Sequence, residues 1–240
     1  MSGLRVDLRQ KSFGGVPVLG EVTFALAPGE IAALLGPSGC GKTTLLAMIA
    51  GLDSDYTGRI EPPGGPVAMV FQTPRLLPWR RLVDNIAIAA KVPVAEARAL
   101  LEAVGLGASA DMFPEKTSLG MQRRAALARA LAIKPALVLM DEPLVSLDTA
   151  NAELMRDLIR SQLARSGATA LITTHDRVEA LTLADRVLEL DGVPAELVRD
   201  RTSPLGRDER QSPGSVAALH QRWFGSKDPG PDSKLTGGLK

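Results

Sequence analysis

The segment Gly36-Pro37-Ser38-Gly39-Cys40-Gly41-Lys42-Thr43 satisfies the pattern G-x-x-x-x-G-K-[ST] at every fixed position. An apolar run short enough for a buried strand, EIAALL, precedes it, and LLAMIAGL, of helical length and composition, follows. Strand, glycine loop and helix in that order leave few folds open. The loop must curl its backbone N–H groups inward at the positive end of the helix, and the glycines permit that curl. An anion is expected there, with the Lys42 ammonium reaching the outer phosphates of a nucleotide and the Thr43 hydroxyl ligating Mg2+. Thr44 belongs to the same binding set. Cys40 occupies an unconstrained position of the loop, where a small residue is tolerated.

Three later apolar runs, PVAMVFQ, PALVLMDEP and GATALITTHD, each turn polar where a buried parallel strand would emerge. Stretches 94–104 and 121–133, rich in Ala, Leu, Glu and Arg with apolar positions three to four apart, predict amphipathic helices. The first 29 residues alternate apolar and polar positions around Gly14, Gly15, Pro17 and Pro28, which predicts short strands forming a β layer. The fold class is α/β. Asp141 ends one strand and is expected to hold magnesium from its second side. Glu142, on the other face of that strand end, is placed to polarise an attacking water as general base. His175 ends another strand, where a sensor of the terminal phosphate would sit.

Composition narrows the function. With 28 Lys+Arg against 27 Asp+Glu the net charge is +1, and five Phe, two Trp and one Tyr make a thin stacking platform, so no nucleic-acid partner is expected. The single cysteine excludes an intrachain disulfide and a thiolate metal cluster. No apolar stretch approaches the roughly 20 residues that span a bilayer, and the N-terminal residues are mixed in charge where a secretory signal would be apolar. A cytoplasmic chain is expected. Residues 1–200 read as one domain and 201–240, rich in Gly and Pro, as a loosely ordered tail. Within that tail, SVAALHQRWF offers a Ser N-cap and apolar Val216, Leu219 and Trp223, enough for a short docking helix or a transient one without a role.

The order of the phosphate loop, VFQ with Gln72, SLGMQRRAALARAL, LMDEP, SLD with Asp148 and TTHD with His175 resembles the nucleotide-binding ATPase subunits of ABC transporters over about residues 3–192. The guanine-reading N-K-x-D element of GTPases is absent. FQTPRLLPW followed by Asn85, and THDRVEALTLADRV, are similar to importer subunits of the nitrate, sulfonate and taurine group. The resemblance implies a P-loop NTPase of the ABC type: a mostly parallel core sheet, an N-terminal antiparallel β layer and a helical subdomain at about 73–134. It implies ATP and Mg2+ as ligands and a peripheral place on the cytoplasmic face of the cell membrane. The partners it implies are transmembrane permease subunits, a second nucleotide-binding subunit and, indirectly, an extracytoplasmic solute-binding protein. Phe13 would stack on adenine unless it is a core residue. Gln72 would contact Mg2+ and the attacking water, acting beside Glu142 and His175, and Asp148 would bridge two domains. Ser118, Leu119, Gly120 and Met121 would face the nucleotide held by the partner's phosphate loop.

Thr117, Ser118, Leu119, Gly120 and Met121 stand where the family has L-S-G-G-M/Q, so Leu119 replaces the first glycine. Its side chain either crowds the anion and desolvates it unpaired or turns away harmlessly. Arg123 stands where the family usually has Gln before its Arg, here Arg124, and RIEPPGGP is shorter than the usual hairpins. The apolar residues of LLPW, including Leu77 and Trp79, form either a socket for a membrane subunit or part of the chain's own core. Three functions fit in descending order. The first is an ATP-hydrolysing subunit that powers import of a small anion or sulfonate-like solute. The second is an ATP-binding, hydrolysis-impaired regulatory or heterodimer subunit. The third, a soluble ABC ATPase of DNA repair or translation, would need tandem cassettes, coiled coils or a basic face that the sequence lacks.

Overall fold

The computed structural model describes residues 3–225. Strands β1 (Leu4–Phe13), β2 (Val16–Leu19) and β3 (Val22–Leu26) form an antiparallel layer, and β4 (Ile31–Leu35) enters a second sheet with all five residues buried. The phosphate loop then leads into helix α1 (Lys42–Ile49). Strand β5 (Thr57–Glu61) pairs with β1, whereas β6 (Val67–Val70) joins the second sheet. The short RIEPPGGP stretch is therefore a passage between layers rather than a hairpin.

Helices α2 (Leu82–Ala90), α3 (Val94–Ala103) and α4 (Leu119–Ala132) surround their own core of Leu82, Val83, Ile86, Leu101, Ala125 and Ala128. This helical unit spans residues 82–132. After it come β7 (Leu137–Asp141), α5 (Thr149–Ser166), β8 (Thr169–Thr174), α6 (Arg177–Leu183), β9 (Arg186–Asp191) and β10 (Glu196–Thr202). The second sheet has the order β10-β9-β4-β8-β7-β6, parallel throughout except for the β9–β10 edge pair.

Both faces of this sheet are covered, which is why its central strands read as unbroken apolar runs. Leu34, Leu139, Leu171 and Leu188 pack towards α1 and the antiparallel layer, and Ala33, Val138, Met140 and Ile172 towards α5 and α6. Among the described residues, no helix is long and apolar enough to cross a membrane.

The C-terminal stretch departs from the expected tail. Helix α7 (Pro213–Phe224) buries Val216, Leu219 and Trp223 in the core beneath α6. Ser212, one turn before the expected Ser215, caps it by accepting from the Ser215 N–H at 3.4 Å. Arg210, buried just before the helix, pairs with Asp185 at 2.8 Å and donates to the Leu205 carbonyl at 3.0 Å. The docking helix read from SVAALHQRWF is therefore present and packed within the Gly/Pro-rich stretch; residues 226–240 of the expected tail lie outside the described residues. Trp223→Ala is expected to cost about 3 kcal/mol, read as a lower urea midpoint. An unchanged midpoint would show that α7 adds nothing to the fold.

Candidate functional site

The phosphate loop joins β4 to α1. Gly41 takes φ 100° and packs so tightly on β2 that a Cβ would stand 2.8 Å from Leu19, which excludes other residues twice over. Helix α1 begins with no side-chain cap and no acid in its first turn, leaving its positive end to an external anion. Lys42, almost fully buried, donates to the Gly36 and Pro37 carbonyls at 2.8 and 2.9 Å. Burial pushes the Cys40 thiol up from its usual range, so it sits in the loop as a neutral small residue.

The register of the parallel strands brings the remaining groups to the loop. Leu35 lies beside Thr174, Asp141 beside Thr173 and Val70 beside Met140, so β4, β6, β7 and β8 all end at one edge. There the Thr43 hydroxyl is shared between the Asp141 oxygens at 2.9 and 3.1 Å, and the Thr173 hydroxyl donates to the same carboxylate at 2.7 Å. Hydroxyl and carboxylate oxygens beside an uncapped helix start form a hard-oxygen donor set, which fits Mg2+ carried on a phosphate chain. Gln72 is an exposed residue just past β6 at this same edge.

Glu142 follows β7 in the left-handed region, φ 44°, its N–H bonded to both the carbonyl and the hydroxyl of Thr173. That posture places Oε1 3.7 Å from the Lys42 ammonium and 3.4 Å from Nδ1 of half-exposed His175. Thr43, Lys42, Asp141, Glu142 and His175 thus gather around the end of the sheet, and Thr44 follows Thr43 in α1. Ser118 to Met121 and Asp148 share no hydrogen bond or ion pair with that cluster among the described residues. Ser118 caps α4 by accepting from the Met121 N–H at 3.2 Å, and Leu119 opens the helix with 43% of its surface exposed. Asp148 caps α5, held below the usual carboxylate range by the Asn151 N–H at 2.9 Å and the Asn151 side-chain amide at 2.6 Å.

Phe13 lies outside the apolar cores, 51% exposed at the end of β1, so the alternative of a core Phe does not hold. Its ring rests 4.5 Å from the ammonium of Lys11, which sequence patterning overlooks. Burial alternates along β1 through Leu4, Val6 and Leu8, then a bulge before Gln10 shifts the phase and turns Lys11 inward. There it pairs with Asp53 at 2.9 Å and donates to the Asp55 carbonyl at 2.6 Å. The LLPW stretch is divided. Leu76 packs against the helical core, and buried Asn85 accepts from the Leu77 N–H at 2.7 Å and donates back to the carbonyls of Leu77, Arg80 and Arg81. Trp79 is left 69% exposed, so burial does not account for it.

With this geometry in place, likeness to known proteins is informative. A family model described as ABC transporter matches residues 19–145. The aliphatic sulfonates import ATP-binding protein SsuB 1 of Pseudomonas syringae pv. syringae is 40% identical over 212 residues, 83% of this chain and 90% of that protein. The SsuB 1 protein of Pseudomonas aeruginosa strain UCBPP-PA14 is 41% identical over 236 residues, 91% and 94% of the two chains. A dimeric post-hydrolysis structure of the ATP-binding cassette MJ0796, bound to ADP and Pi, is 24% identical with a TM-score of 0.74, covering 85% of this chain and 100% of that one. That likeness shows the fold.

Lys11 generates a prediction with a defined sign. Its hydrogen bond, helped by the Asp55 N–H, holds Asp53 below the usual carboxylate range. A carboxyl lowered on folding contributes stability above its unfolded pKa and loses it as pH falls through the folded value. Lys11→Met is therefore expected to lower the melting temperature at neutral pH, with the gap from the parent closing below about pH 4. A gap independent of pH would show that the pair carries no electrostatic stability.

Proposed function

The chain belongs to the ABC transporter family as an ATP-hydrolysing subunit of the import type, and we propose that it powers uptake of a sulfonate or a similar small anion. The supporting observation is the cluster of Lys42, Thr43, Asp141, Glu142 and His175 at one sheet edge. Support for the cargo is the kinship with aliphatic sulfonate import proteins over nearly the full chain. We assign the cytoplasmic face of the membrane as its place of work, with separately encoded permease subunits, a second nucleotide-binding subunit and, indirectly, a solute-binding protein as partners. Exposed Trp79, on a loop pinned from within by Asn85, is a suitable anchor for a permease.

In the proposed mechanism the α1 N-terminus and loop N–H groups hold the phosphates of ATP, and the Phe13 ring takes the adenine. Lys42 exchanges its two carbonyl partners for phosphate oxygens. Mg2+, held by Thr43, Asp141 and Gln72, would neutralise charge on the outer phosphates. Glu142 accepts a proton from the attacking water, and His175 and Gln72 orient the water and the terminal phosphate. Pro37, Ser38, Gly39 and Cys40 contribute backbone to the cradle. Ser118, Gly120 and Met121 serve the partner's nucleotide, and Asp148 lies at the contact between the two domains.

Lys42→Ala is expected to weaken ATP binding at least tenfold, since hydrogen bonds to a charged group contribute about 1.5–3 kcal/mol. Unchanged affinity in a nucleotide titration would refute the site. A bulky residue at the first turn of α4 supports a second reading, binding without efficient hydrolysis. On that reading Leu119→Gly is expected to raise steady-state turnover roughly tenfold or more, because one donor at a developing charge is worth about 10² to 10³ in rate. Normal turnover in the parent, with no gain on substitution, would leave Leu119 as a harmless surface residue.

A further inference from the structure

Beside His175 lies a polar cavity of about 360 Å3 whose lining includes Glu179 on α6 and Arg156 on α5. The proposed mechanism uses neither residue. Glu179 is 8% exposed, and its Oε2 accepts from the Thr174 hydroxyl at 2.8 Å. That hydroxyl in turn accepts from the Asp176 N–H at 3.0 Å, so it bridges the His175 backbone from one side to the other. Asp176 completes the turn by capping α6, accepting from the N–H groups of Val178 at 2.7 Å and Glu179 at 3.0 Å. Among the described residues, two buried atoms on the cavity's residues lack partners, Oε1 of Glu179 and Nε of Arg156. A buried carboxylate oxygen and a buried guanidinium nitrogen without direct partners, beside a cavity with room for water, suit a water-bridged ion pair.

We propose that Glu179 is a positioning residue for His175. Through Thr174 it fixes the turn that carries the imidazole, and through the cavity it ties that turn to Arg156, two turns beyond the Asp148 cap of α5. The proposal rests on the reading of His175 as the group that meets the terminal phosphate. It extends that reading to a residue pair on the outer helices.

The charge on Glu179 is the variable part. Burial pushes its carboxyl up to about 7, while the Thr174 hydrogen bond and the nearby charges of Arg156 and His175 oppose that rise and Asp176 adds to it. Glu153 on α5 and Glu142 after β7 also line the cavity, so Arg156 is the cation that balances an acidic surround. As pH falls through neutrality the carboxylate is neutralised, its attraction for Arg156 is lost, and only the Thr174 bond remains.

The test uses the full chain with Glu179→Gln, which keeps an acceptor for Thr174 but no charge, Glu179→Ala, which keeps neither, and His175→Ala. Turnover and KM for ATP are measured from pH 6 to 8.5, alongside hydrogen exchange at the amides of Asp176, Val178 and Glu179. Glu179→Ala is expected to lower kcat about tenfold with KM unchanged, as a displaced catalytic group does, and to speed exchange at those amides. Glu179→Gln should recover most of the exchange protection and flatten the rise of kcat through pH 7. Parental pH profiles and exchange in both Glu179 variants, with hydrolysis lost in His175→Ala, would overturn this inference alone. Unaltered hydrolysis in His175→Ala would overturn the underlying reading instead. The exchange measurement needs no turnover, and if Glu179→Ala does not fold, the flattened profile in Glu179→Gln decides.

Discussion

Parallel pairing of β4, β8, β7 and β6 in a fixed register is the constraint on which the site depends. A slip of one residue in any of these pairs would turn its apolar side chains out of their cores and move its polar end to the other face. Because both faces of the sheet are buried, such a slip would exchange side chains between two close-packed cores, leaving voids in one and overpacking in the other at about 1–3 kcal/mol per site. Apolar burial thereby sets the position of polar groups that contribute little to the core. The Thr43–Asp141 hydrogen bond joins a helix start to a strand end 98 residues away in sequence, and it exists because the strands between them are locked.

The polar groups at that edge are satisfied internally. Lys42 uses loop carbonyls, Asp141 takes two hydroxyls, and the N–H of Glu142 is bonded twice despite its left-handed backbone. An ammonium can exchange a carbonyl for a phosphate oxygen, and a carboxylate can exchange a hydroxyl for a metal ion. A site of this kind can exchange internal for external partners without large movement, since the donors and acceptors already converge.

Much of this was legible because it lies where periodicity ends. Asp141, Glu142 and His175 stand at the polar termini of apolar runs, and the phosphate loop carries its own glycines. Lys11 was hidden, since a strand bulge shifts the alternation on which its exposure would be judged. Glu179 carries no local signal in the sequence, and only the fold shows its oxygen against Thr174. Helix α7 was legible from its Ser and its three apolar positions, but its packing was not: Val216, Leu219 and Trp223 are buried in a stretch whose Gly and Pro content suggests a loose tail. The C-terminal boundary failed for that reason. The tie between Arg123 and the Val145 carbonyl is a tertiary contact with no local signature.

Helix α4 has a part in both units of the molecule. Leu127 and Ala130 belong to the core under the parallel sheet, while Ala125, Ala128 and Ala132 belong to the core of the helical unit, so the helix is the wall they share. Arg129, near its C-terminal end, donates to the carbonyls of Pro74 and Arg75 at 2.9 and 2.8 Å, gripping the loop that carries Trp79. Its N-terminal end presents Ser118 and Leu119, with Gly120 set so close to Asn151 that a Cβ would stand 3.3 Å from the amide oxygen. Asn151 is in turn held by Asp148, and Arg123 midway along α4 is bonded to the loop before Asp148. Hydrogen bonds from Asn85 and Arg129 hold the Trp79 loop at one end of α4, and the capped helix starts at Ser118 and Asp148 lie at the other. The small side chains of Ala125, Ala128, Ala130 and Ala132 let the elements on both sides of α4 approach it closely, which is how one helix can wall two cores at native packing density.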